Sequence, residues 1–278
     1  YFVVIGIRGG FGKYTRPITI SNAMQYTNTP QETAILLNTP FSLMKSLENT
    51  TYVHPHYFSN EEAEKLFSPI HTDEIVENGR LGHTNVVVVI LESFSKEYIG
   101  FYNQHIDEYE GYTPFLDSLL THCITYAHSF ASGRKSIDAM PSVLSSIPML
   151  IEPYIVTPYS TNAVSSLAAC LRDEGYTTAF FHGAPNGSMG FQAYARSAGF
   201  EHYYGMDEYD GIEAFDGTWA IWDEEFLQYY VRTMCQMKEP FMTAVFTASS
   251  HHPFRVPKRY ENVFPKGTQP IHQCIGYT

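Results

Sequence analysis

The run Val86-Val-Val-Val-Ile-Leu91 limits most tightly what this chain can fold into. Six aliphatic residues in a row, four of them valine and bounded by polar residues, describe a strand buried on both faces. That environment is found in a parallel sheet covered by helices. Thr177-Thr-Ala-Phe-Phe181 and Phe241-Met-Thr-Ala-Val-Phe246 repeat the pattern, and helical stretches lie between, at residues 113–122, 163–174 and 223–238. Alternating strands and helices predict an α/β fold with a mostly parallel central sheet flanked by helices.

Residues 1–80 read differently, as a helical lead-in, with the α/β domain occupying 81–278. Thr29 followed by Pro30 marks a helix start. Pro40-Phe-Ser-Leu-Met-Lys-Ser46 suits a second helix with Leu43 and Leu47 on one face, and Asn60 is the expected cap of a third. The opening Tyr1-Phe-Val-Val-Ile-Gly-Ile7, followed by Arg8, reads as a first strand or as the last turns of a membrane helix. No signal-peptide layout precedes it, and Gln273-Cys-Ile-Gly-Tyr-Thr278 ends without a charged tail, so the chain is expected to be an excerpt.

Composition narrows the function. With 17 basic and 29 acidic residues the net charge is −12, which argues against a nucleic-acid partner. Cys123, Cys170, Cys235 and Cys274 form no C-x-x-C pair, so neither a zinc knuckle nor a disulfide scaffold is expected.

In open α/β sheets ligands bind beyond the carboxyl ends of the strands. The first strand is followed by Glu92 and Ser93, the second by His182 and Gly183, the third by Thr247-Ala-Ser-Ser-His251-His252-Pro253. A carboxylate and two imidazole sites on one edge suit a divalent metal (Mg, Mn or Zn) or a phosphoryl group. Ser129-Phe-Ala-Ser-Gly-Arg-Lys-Ser-Ile-Asp138 offers a nucleophile in Ser136. Arg134 and Lys135 place positive charge beside it, and Gly133 permits close backbone approach. Two blander readings stand next to this one: Ser136 as a plain helix cap, and Arg134–Lys135 as a solvated basic pair. Ser132 is the alternative nucleophile.

Six motifs then occur in order: Asn85-Val-Val-Val-Val-Ile-Leu-Glu-Ser93, Thr113-Pro-Phe-Leu-Asp117, Gly133-Arg-Lys-Ser136, Phe180-Phe-His-Gly183, Trp219-Ala-Ile-Trp-Asp-Glu-Glu-Phe226 and Ser249-Ser-His-His-Pro-Phe254. Together, over roughly residues 80 to 255, they resemble the lipoteichoic acid synthase family, sulfatase-like members of the alkaline phosphatase superfamily. The stretch from Arg8 to Leu43 also resembles the segment that joins the family's membrane helices to its extracytoplasmic catalytic domain.

The resemblance implies an alkaline phosphatase or sulfatase-like fold and a metal-dependent phosphotransferase of the cell envelope. It makes Glu92 a metal ligand, and Ser136 both nucleophile and metal ligand. His182 and His251 become catalytic and phosphate-binding. Arg134 and Lys135, through their charge, and Asn186 and Ser188 are expected as further substrate contacts. The partner is then a phosphodiester lipid or glycan, and the catalytic domain sits on the outer face of the cell membrane, anchored by a segment before this chain. Two departures follow. The family's Asp-His pair that completes the metal site has no counterpart before Thr278, so this chain alone is expected to be inactive and its sheet to leave an edge for another copy to pair. The family's glycerol-phosphate grip falls in the segment of Asn186, Ser188, Met189 and Phe191, so a head group other than glycerol phosphate is expected. A sulfatase is disfavoured because Ser136-Ile-Asp-Ala-Met140 lacks the Pro and Arg of the C/S-x-P-x-R pattern. Hydrolysis of a phosphodiester, and a binding module whose site has decayed, are the other readings.

Overall fold

A computed structural model of the chain describes residue 23 and residues 26–27, 30–47, 56–68, 82–211 and 214–278. The opening Tyr1–Ile7, the stretch Arg8–Gly10 and the expected cap Thr29 lie outside the described residues.

Three short helices make up the described lead-in: α1 (Pro30–Leu36), α2 (Thr39–Leu47) and α3 (Asn60–Leu66). Leu43 and Leu47 of α2 are mostly exposed. The cap of α3 is Ser59, one residue before the expected Asn60. Ser59 accepts the Glu62 N–H while Glu62 accepts the Ser59 N–H, a reciprocal pair that Asn60 is one position too late to make. None of the described helices is long and apolar enough to cross a membrane.

The α/β part is built on a four-stranded sheet in the order β1-β4-β2-β3, every pairing parallel. The strands are β1 (Val86–Ile90), β2 (Thr177–His182), β3 (His202–Tyr204) and β4 (Phe241–Phe246). The helices are α4 (Pro114–Leu120), α5 (Ser136–Ser145), α6 (Leu167–Asp173), α7 (Phe191–Ser197), α8 (Asp223–Met234) and α9 (Pro270–Tyr277). α4, α6 and α8 are shorter than their apolar patterns predicted. Strand β3 had no sequence signal, being three residues long.

Alternation along the strands divides the core in two. Met242, Ala244 and Phe246 of β4 and Phe180 of β2 face Met140 and Leu144 of α5, Ala168 of α6 and Phe191 and Tyr194 of α7. Val245, Ala179 and Phe181 face Phe226 and Tyr230 of α8. β1 departs from expectation here. Val86, Val88 and Ile90 pack on the first layer, but Val87 and Val89 are 47% and 51% exposed. The second-layer cluster built on α8 includes no residue of β1, so among the described residues β1 is an edge strand buried on one face and not on both.

Asn85 fastens the start of β1 to β4. Its Nδ2 donates to Glu239 at 2.8 Å and its Oδ1 accepts the Phe241 N–H at 2.9 Å. The register sets Ile90 and His182 abreast of Phe246, so the segments after all three strands emerge at one edge.

Candidate active site

Glu92 follows β1 by two residues, and its backbone is held from both sides by the segment after β4. Its N–H donates to Thr247 Oγ1 at 2.9 Å, and its carbonyl accepts the Ser250 hydroxyl at 2.6 Å. The next residue, Ser93, turns sharply with φ at 60°, a left-handed conformation costing a residue with a Cβ roughly 1–2 kcal/mol. The turn brings Ser93 Oγ to Glu92 Oε1 at 2.9 Å. Glu92 is buried, so its carboxylate has a fixed direction.

Ser136 Oγ donates to the same Oε1 at 2.9 Å. Ser136 is the first residue of α5, and Lys135, in extended conformation, is the cap. The plain-cap reading of Ser136 is thereby corrected: its hydroxyl reaches 44 residues back along the chain to Glu92 and not to its own helix. Asp138 anchors the turn instead, with Oδ2 accepting the Lys135 N–H at 3.2 Å. A Cβ at Gly133 would lie 2.4–2.7 Å from the Asp138 side chain, so only glycine fits beneath that carboxylate. Ser132 pairs with Ser142 and makes no bond to Glu92. Arg134 and Lys135 are exposed beside the hydroxyl, with no ion pair among the described residues.

The two histidines differ. His182 is 3% exposed, its ring set against Phe191 and Phe246. Its Nδ1 lies 3.0 Å from the Phe246 carbonyl, which can only accept, so Nδ1 carries the proton. Burial pushes its pKa down to about 4, leaving a neutral ring whose buried Nε2 has no partner among the described residues. His251 is half-buried in the segment after β4. Its Nδ1 donates to the His252 carbonyl at 2.8 Å, and Trp219 packs edge-on at 4.8 Å. Trp219 Nε1 donates to the same carbonyl at 2.5 Å, closing that turn.

Asn186 and Ser188 lie in the turn after β2. Asn186 donates to both Glu208 carboxylate oxygens at 3.0 and 3.1 Å, bracing a neighbouring loop. Ser188 opens a short 3-10 turn in which Met189 is 37% exposed. Phe191 is fully buried in the core, its ring against His182. Its apolar character serves the packing of the first layer.

The sequence reading missed Thr247, Ser250, Ser249 and Asp223, which hold the segment after β4 in place. The signal for the first three was the run of small hydroxyl residues Thr247-Ala-Ser-Ser250 directly after a buried strand, and for Asp223 its place in the Trp219–Phe226 motif.

Glu92 and Ser136 offer two adjacent oxygens, which suit a hard divalent cation in type. They do not suffice in number, and no group of three or more His, Cys, Asp or Glu among the described residues could hold a metal ion.

The sulfatase family matches residues 84–274, which takes in every residue of this edge. The chain belongs to the sulfatase family. Within it, the chain is similar to lipoteichoic acid synthase 2 of Bacillus subtilis, 26% identical over 194 residues, or 68% of this chain and 29% of that protein. It is also similar to the lipoteichoic acid synthase-like YvgJ of the same organism, 20% identical over 177 residues, or 63% of this chain and 28% of that protein. This sulfatase-family chain thus spans less than a third of the curated relatives it matches. Among solved structures it resembles the lipoteichoic acid synthase LtaP of Listeria monocytogenes, with a TM-score of 0.60 and 23% identity over 70% of this chain and 49% of that one. An alkaline phosphatase superfamily protein of Vibrio parahaemolyticus gives a TM-score of 0.59 at 21% identity, over 69% of this chain and 47% of that one. The chain shares its fold with both solved structures.

Proposed function

We propose that this chain carries the nucleophile-bearing part of a metal-dependent phosphotransferase that modifies a phosphodiester-linked lipid or glycan outside the cell membrane. The observation that carries the reading is the 2.9 Å bond from Ser136 Oγ to Glu92 Oε1 at the carboxyl edge of a parallel sheet. The similarity to lipoteichoic acid synthases supports the substrate class.

Ser136 Oγ attacks phosphorus, forming an O–P bond as the bond from phosphorus to the donor alcohol breaks. Glu92 Oε1 is in place to take the hydroxyl proton. His251, with Nε2 turned from its backbone bond, supplies a proton to the departing alcohol. In the second half an acceptor hydroxyl gives its proton to His251 and attacks phosphorus, and Ser136 recovers its own from Glu92. Arg134 and Lys135 face the charge that develops on the phosphoryl oxygens. His182, neutral and enclosed, fixes the wall of the site through Phe246. A divalent cation (Mg, Mn or Zn) held by Glu92, Ser136 and further ligands would polarise the phosphoryl oxygen.

The test is to incubate the complete protein with a panel of lipid phosphodiesters and look for a covalent adduct on Ser136 by mass spectrometry. Ser136→Ala is expected to abolish adduct and turnover while changing stability by no more than about 1 kcal/mol, the worth of one hydrogen bond. A fully active Ser136→Ala protein overturns the assignment.

A further inference from the structure

The Trp219–Phe226 motif has no part in the chemistry just described, yet its central acid is one of the most enclosed groups in the molecule. Asp223 is 3% exposed at the first position of α8. Its Oδ1 accepts the Ala248 N–H at 2.8 Å and its Oδ2 the Ser249 N–H, also at 2.8 Å. The bond is returned, because the Asp223 N–H donates to Ser249 Oγ at 2.9 Å. Thr278 Oγ1 adds a weaker contact to Oδ2 at 3.2 Å. Glu224 and Glu225, next on the helix, pair with Arg259, and Tyr277 lies against the same end of α8. No cation pairs with Asp223 among the described residues.

A buried carboxylate without a cation is costly, and burial raises its pKa to about 6. Filling space does not require such a group. Two consecutive backbone N–H groups do, because only a carboxylate offers two accepting oxygens side by side. Those N–H groups belong to the segment that grips Glu92: Thr247 takes its N–H and Ser250 donates to its carbonyl. A continuous set of bonds therefore runs from α8 through residues 247–250 to Glu92 and on to the Ser136 hydroxyl.

We infer that Asp223 is a positioning residue for the nucleophile: its carboxylate fixes the turn after β4, and that turn fixes Glu92, Ser136 and His251. The kinetic half of this inference rests on the phosphotransfer reading; the structural half does not.

The experiment compares Asp223→Asn with the unaltered complete protein, supplied with Mn2+. Asparagine keeps the shape but has one accepting oxygen for two N–H groups. Amide hydrogen exchange at Ala248 or Ser249 is expected to lose about tenfold or more of its protection, the value of a charge-assisted hydrogen bond. Protection along Phe241–Phe246 is expected to stay. With bis(para-nitrophenyl) phosphate as probe, kcat is expected to fall about 10- to 100-fold, as it does when an outer partner of a site is lost, with KM within about twofold. Glu224→Gln, one position along the helix and bonded to Arg259, should leave both readings unchanged. Unaltered protection in Asp223→Asn overturns the inference, and so does lost protection with unaltered kcat. If Asp223→Asn does not fold, Ser249→Ala cuts the returned bond and is expected to move both readings the same way by a smaller factor. If the unaltered protein releases no nitrophenolate, the phosphotransfer reading has failed, and the exchange measurement still decides whether Asp223 fixes the turn.

Discussion

Strands β1 and β4 read almost alike in sequence, and they lie side by side, yet they live in different surroundings. Every residue of β4 is buried, because strands pair on both its edges and helices cover both its faces. Among the described residues β1 has one neighbouring strand and one covered face, and its odd-numbered valines are exposed. An apolar run shows that a strand exists and leaves open whether it is central. That depends on where later crossovers deliver the other strands, and β4 enters between β1 and β2 only after more than a hundred intervening residues.

The contrast can be broken most forcefully at the end of β4. Phe246 is 2% exposed and packs on Phe191 and His182. Phe246→Ala is expected to cost about 3–5 kcal/mol in a denaturant titration, as large-to-small aromatic changes do in a close-packed core. A loss near 1 kcal/mol would mean that the centre of the sheet is as loose as its edge.

Acid offers the next largest effect, through the neighbouring strand β2. Burial holds the His182 pKa at about 4 against an ordinary 6.5, so as pH falls through that window the unfolded chain takes up the proton first. The stability His182 contributes is complete above about 6.5 and is lost toward pH 4. Asp223 acts oppositely, since its carboxyl is raised from 3.8 to about 6 and the folded chain binds that proton first. The two largely offset each other in the unaltered protein. His182→Gln, able to donate to the Phe246 carbonyl, removes only the first. Relative to its own value near pH 7, it should gain about 3 kcal/mol over the unaltered chain near pH 4, measured by unfolding midpoints. Parallel pH curves would show that His182 is not held neutral.

The smallest effect is expected on β1. Val89 is 51% exposed, so Val89→Thr should change stability by no more than about 0.5 kcal/mol. A cost above about 2 kcal/mol would place Val89 in a core and erase the difference between the strands.

Much of the fold was legible because short buried strands and the residues directly after them are local patterns. Glu92, His182 and His251 could be found by reading the end of each strand and the few residues after it, two places past β1, at the last residue of β2 and five places past β4. The edge character of β1 and the three-residue β3 could not, for both arise from packing between distant segments. The supports of the site were hidden for the same reason. Ser250 reaches Glu92 across 158 positions and Asp223 reaches Ser249 across 26, distances at which a hydroxyl or carboxylate bonded to backbone leaves no spacing to recognise. The burial of Phe191 was hidden as well, because a motif position says nothing about which side of a turn faces the core.

The tight seat of Gly133 beneath Asp138 has a consequence for how such a chain can diversify. A saturation library at position 133 should return glycine alone, whereas exposed Arg134, one residue on, meets no steric barrier to change. The loop thus sets a position confined by packing directly beside one that faces solvent. Such a loop can exchange exposed side chains while the turn that seats Ser136 against Glu92 is inherited intact.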